Sequence, residues 1–127
     1  MEEFLRVLAS ILQGIHLQTF YERNRSKTIV YPYATYNFDS EPIRRNQDGF
    51  YIDIDVFDRS DTSVGVALME DKFKDGLIFN RTMTDDLYLK FRFSGSNKIP
   101  TGDDQLKRRN VRFYVTVDWR KKKYGTE

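Results

Sequence analysis

There is no cysteine among the 127 residues. That excludes a disulfide scaffold, a thiolate zinc site and a cysteine nucleophile, and it allows a reducing compartment. Histidine occurs once, at His16 between Ile15 and Leu17, a setting that favours a structural or exposed residue over a catalytic one. No serine lies in a G-x-S-x-G turn, and the glycines form neither G-x-G-x-x-G nor a phosphate-binding loop. No apolar run approaches the ~20 residues needed to cross a bilayer, so no membrane partner is expected. The chain opens on Glu2 and Glu3 without a signal-peptide pattern, which sets the expectation of a cytoplasmic product. With the usual parts of an active site missing, the expectation is a protein that is not an enzyme and carries no cofactor.

What is present is apolar and aromatic. The hydrophobic fraction is 39% and the aromatic fraction 15%, with 10 Phe and 8 Tyr, which is too much for a disordered chain. The length suits one domain over residues 1–127. Net charge is only +2 but uneven: residues 98–127 hold nine Lys/Arg against four acids, so the rest of the chain is net negative. The most basic part is a tail from about residue 120, with Arg120 and Lys121–Lys123. Lys107, Arg108 and Arg109 form a second basic group, a candidate contact for passing DNA. A small nucleic-acid-binding module built on this C-terminal third is the alternative reading, though no recognition-helix, RNP or zinc-finger motif accompanies it.

Hydrophobic spacing divides the chain. Phe4, Leu5, Leu8, Ile11, Leu12 and Ile15 fall at helical intervals, and Gly14 marks the end. Residues 16–28 read as loop. "IVYPYATYNF" (29–38) is rich in β-branched and aromatic residues, with Pro32 at its start or edge. "DSEPIRRNQDG" (39–49) reads as a long loop, and Phe50–Asp58 as a strand with Phe50, Ile52, Ile54 and Val56 on one face. A second helix is expected up to Leu77 on the stripe Val66, Met69, Phe73, Leu77, with Asp58 and Asp61 leaving the strand to start and cap it. Residues 86–95 and 111–119 alternate again, separated by a loop over 96–110. The order α–ββ–α–ββ predicts an α+β two-layer sandwich: a four-stranded antiparallel sheet with two helices packed on one face.

The opposite face then presents Asp53, Asp55, Lys90, Arg92, Arg112, Thr116 and Asp118, interleaved with Tyr51, Phe57, Tyr88 and Tyr114. Tyr and Arg in such number point to a contact surface, with Asp53, Asp55, Tyr88, Arg92, Arg112 and Tyr114 as the candidate interface residues. Asp53 and Asp55, two residues apart on a strand, also have the projection of paired metal ligands, with Lys90 opposite as in a nuclease; any polar strand face shows the same spacing, and no metal is expected.

The helix 4–15, "YPYATYNF" and "DGFYIDIDVFDRSDTSVGVALMEDKFKDGL" together resemble the tail-terminator or tail-completion proteins of long-tailed bacteriophages. The similarity lies at Tyr31–Tyr36, Tyr51–Asp58 and Thr62–Leu77. The polar stretch Asp39–Gly49 and the basic C-terminus depart from it. The resemblance implies a virion structural protein of similar sandwich fold. It implies a homo-oligomer, a hexameric ring in the virion that can be monomeric in solution. The ring caps the tail tube and joins the tail to the DNA-filled head. The implied partners are the tail tube protein and the head connector or stopper, with non-specific contact to passing DNA. The implied location is the head–tail interface of the virion, after assembly in the host cytoplasm. The family supplies no catalytic residues.

Overall fold

The computed structural model describes residues 1–120. Lys121–Lys123, and with them most of the basic tail, lie outside the described residues. The elements run α1 (Glu2–Ile15), β1 (Thr19–Tyr21), β2 (Tyr33–Arg44), β3 (Gln47–Arg59), α2 (Val64–Leu77), β4 (Arg81–Met83), β5 (Leu87–Ile99) and β6 (Leu106–Trp119).

The expected four-stranded antiparallel sandwich is wrong. The sheet has six strands in the order β1-β2-β3-β6-β5-β4, it is mixed because β1 runs parallel to β2, and it curls into a half-barrel holding the two helices. The two added strands are three residues each and sit at the two edges. At that length alternation carries no signal. β1 forms inside the stretch expected as loop because Thr19 is buried and hydrogen-bonded through Oγ1 to the carbonyl of His16, at 2.6 Å.

Both expected loops are largely strand, with loop remaining only at 45–46 and 100–105. β2 and β3 extend towards each other until only Arg45 and Asn46 form the turn, with Asn46 at φ 63°. That is a tight hairpin with a residue suited to the left-handed region. β5 and β6 pair from Leu87↔Trp119 out to Ile99↔Arg108, with a bulge between Phe93 and Gly95. The side chains of residues 39–44 are exposed and those of 96–110 are exposed or half-buried, so the alternation stops while the pairing continues.

The core follows the apolar stripes. Phe4, Leu8 and Leu12 of α1 and Val66, Met69, Phe73 and Leu77 of α2 are buried against Phe50, Ile52, Ile54, Val56, Leu87, Leu89, Val111, Phe113, Val115 and Val117. Phe4 stacks on Phe50 with centroids 4.1 Å apart, and Phe38 meets both rings edge-on. α1 contacts β1 and α2, while α2 lies over β3, β5 and β6. Aromatic pairs of this kind contribute about 0.5–1.5 kcal/mol beyond their buried area.

The start of α2 differs from expectation too. Asp58 stays within β3, and Ser63 stands at the N-cap with no side-chain cap bond. Asp58 nonetheless lies against the first turn. A Cβ at Gly65 would fall 1.9 Å from Asp58 Oδ2, so only glycine admits the carboxylate there. A negative charge in that place favours the helix dipole. His16 is structural in its contacts: Nε2 is 2.8 Å from the Pro32 carbonyl and Nδ1 is 3.1 Å from Lys72 Nζ.

Candidate functional site: the open face of the sheet

The face of β3 and β6 turned away from the helices carries a continuous lattice of rings and charges. Register sets it. Tyr51 stands opposite Tyr114, Asp53 opposite Arg112, Asp55 opposite Asn110 and Phe57 opposite Arg108. β5 adds Arg92 opposite Tyr114, and β2 adds Tyr33 opposite Phe57.

Each of three arginines lies over a ring. Arg92 is 4.8 Å from the Tyr114 centroid, Arg112 4.7 Å from Tyr51 and Arg108 5.2 Å from Phe57. The carboxylates hold two of them from the side: Asp53 Oδ1 is 3.2 Å from Arg112 Nε, and Asp55 Oδ2 is 3.0 Å from Arg108 Nη2. Asn110 bridges, donating to Asp55 at 3.2 Å and to Asp53 at 3.4 Å. Tyr51 and Tyr114 meet edge-to-face at 4.7 Å, and Tyr33 stacks on Phe57 at 4.7 Å. Each guanidinium group thus has a ring beneath it and, at Arg108 and Arg112, a carboxylate beside it. Their side chains remain 37% and 41% exposed, with donors left for a partner.

Tyr114 anchors one end. It is buried, and its hydroxyl donates to Glu41 Oε1 at 2.8 Å. Burial, the Glu41 acceptor and its charge, and neighbouring Tyr51 push the phenol up to about 12. Burial likewise raises Tyr33 on this face, with Tyr31 adding to it.

Asp53 and Asp55 therefore do not converge on a shared empty point. Arginine and asparagine donors engage both carboxylates, and among the described residues no group of three His, Cys, Asp or Glu is placed to hold a metal ion. Tyr88 lies on the same face near the β4 edge, where Arg81 Nη1 reaches its hydroxyl at 3.4 Å.

Strand alternation divides Lys107, Arg108 and Arg109. Lys107 Nζ donates to the Asp104 carbonyl at 2.5 Å in the β5–β6 hairpin. Arg108 belongs to the open face. Arg109 turns to the helix side, where its Nε donates to Glu70 Oε1 at 2.5 Å and Nη2 to Ser96 Oγ at 3.2 Å. Glu70, buried on α2, also pairs with Lys74 at 2.8 Å. Burial works to raise its carboxyl, but bonds from Lys74, Arg109 and Ser96 and the Arg109 charge overcome it and hold it at about 2. Sequence reasoning missed this network. Its signal was a glutamate next to Met69 and four residues after Val66, inside the apolar stripe of α2.

No family model and no curated protein matches the chain. Among solved structures, a chain of the structure titled "Virion of native gene transfer agent (GTA) particle" has the same fold. The TM-score is 0.68 over 86% of this chain and 85% of that one, at 11% identity. At that identity the likeness is one of fold.

Proposed function

From a fold shared with a chain of a virion particle, we propose that this protein is a virion structural protein with no catalytic step and no cofactor. It acts as a ring, hexameric as in the tail-terminator proteins its sequence resembles, that caps the tail tube and joins the tail to the DNA-filled head. The carrying observation is the shared fold over 86% of the chain. The open face supports it: aromatic rings with arginines stacked on them are suited to docking a protein partner.

The test is loss of the gene in cells that produce the particle. Tails of uncontrolled length and separate, unjoined heads are the expected product in the electron microscope. Normally joined particles of normal tail length overturn the role. Salt-sensitive DNA binding by the isolated monomer would instead favour the nucleic-acid-binding module.

A further inference from the structure

Phe79 breaks two local rules at once. It is 88% exposed, the most exposed of the large hydrophobic residues described. It also takes φ +66° at the end of α2. Ile78 at φ −62°, ψ 129° and the bond from Asn80 N to the Leu77 carbonyl, 2.8 Å, make residues 77–80 a type II turn with Phe79 at its third position. That position favours glycine, because a side chain there is strained. A strained backbone that presents an aromatic ring to solvent is a cost without an intramolecular return. The ring stands beside the β4 edge of the sheet, where Met83 is also exposed.

The other edge of the sheet carries the complement. Between α1 and β1 lies an open recess of about 590 Å³ lined by Ala9, Phe20, Tyr21 and Tyr36, with Arg23 and Arg25 at it. Tyr21 and Tyr36 hold their rings 5.4 Å apart, and Tyr21 is 43% exposed. Charge matches as well. Residues 75–86 around Phe79 carry three aspartates and one arginine, whereas residues 20–27 at the recess carry two arginines, one lysine and one glutamate. Knob and recess lie at opposite ends of one sheet order, β4 and β1. Two such patches on one chain cannot satisfy each other within it, but they can between successive copies.

We propose that Phe79 of one copy inserts into the Phe20–Tyr21–Tyr36 recess of the next, a head-to-tail contact between copies of this chain. A heterologous contact of this kind closes into a ring when the rotation permits. The inference rests on the ring reading above and names the surfaces that build it. It leaves the open sheet face for the partners above and below.

The absence of native cysteine makes the test direct. Full-length Arg81→Cys/Arg23→Cys, which keeps the Phe79 ring and replaces an exposed residue beside it, is expressed during particle production, and isolated particles are oxidised without reductant. A ladder of disulfide-linked multimers is expected, absent from either single variant and from an Asp53→Cys/Arg23→Cys control. A chain present in the particle in multiple copies with no 81–23 link overturns the contact and spares the ring. A chain absent from the particle, or present as one copy, overturns both. Phe79→Gly keeps the contact distinct from folding: it should melt no lower than the native chain yet fail to multimerise. Wild-type multimerisation by Phe79→Gly overturns the knob.

Discussion

Tyr114 of β6 donates its hydroxyl hydrogen bond to Glu41 of β2, reaching over β3 at Gly49 to do so, with oxygen atoms 2.8 Å apart. A Cβ at Gly49 would fall 1.8 Å from the Tyr114 oxygen and 2.4 Å from Cζ. The glycine, read from sequence as the last residue of a long loop, is instead the floor beneath a ring.

Gly49→Ala should therefore displace Tyr114 and lose its bond to Glu41. Overpacking of this kind costs about 1–3 kcal/mol. Urea unfolding should show a lower midpoint with an unchanged slope, because the compactness of the two end states is not altered. An Ala variant as stable as the native chain would mean that Tyr114 does not lie over Gly49.

The same phenol sets an alkaline limit. Its folded value is pushed up to about 12 from the ordinary 10, so between those values the unfolded chain gives up a proton that the folded chain keeps. The stabilisation is complete below pH 10 and is lost as pH rises through 12. Tyr114→Phe should flatten this part of the melting-temperature profile while leaving its acid side in place. A variant with an unchanged alkaline slope would assign the loss to another group.

On the helix side the sign reverses. Glu70 is held at about 2 against an ordinary 4.5, so its contribution is present above the ordinary value and is lost as pH falls towards 2. Glu70→Gln should weaken the acid-range decline. At neutral pH it should destabilise by about 1–3 kcal/mol, because Arg109 loses its charged acceptor in a partly buried site. Thermal melts at pH 7 and through the acid range check both halves.

Much of the core was legible in the sequence, because period in hydrophobicity reports burial. Leu8 and Leu12 lie where helical spacing placed them, and Ile52 and Ile54, Phe113 and Val115 where alternation did. Backbone pairing was legible only where burial accompanied it. Asp39–Arg44 and Lys98–Ile99 are paired strand with exposed or half-exposed side chains, so their polar runs read as loop. The membership of the open face was legible from strand parity. The clamps on it were not, because Arg108–Asp55 and Asn110–Asp53 depend on a cross-strand register that the 96–110 stretch gave no reason to expect. Parity also separates Arg108 from Arg109, a split hidden while both were assigned to a loop.

The open face permits a prediction in which stability and assembly part company. Arg112 is 41% exposed on its side chain, and ion pairs of that exposure contribute about 0–1 kcal/mol. Arg112→Glu would also set a carboxylate directly opposite Asp53, which costs about 0.2–1 kcal/mol more. Arg92→Glu removes the cation over Tyr114 at an exposed position. The double variant should therefore still fold, with a modestly lower melting temperature. Yet it converts two ring-stacked cations into anions on the surface proposed to meet the tube or the connector, where like-charge contact costs several kcal/mol. Unjoined heads and tails are expected when this variant replaces the native chain. Lys90→Glu, on the same face but without a stacked ring, serves as the charge control and should join normally. Normal joining by the double variant would remove the open face from the assembly contacts, and failure by Lys90→Glu as well would reduce the effect to net charge.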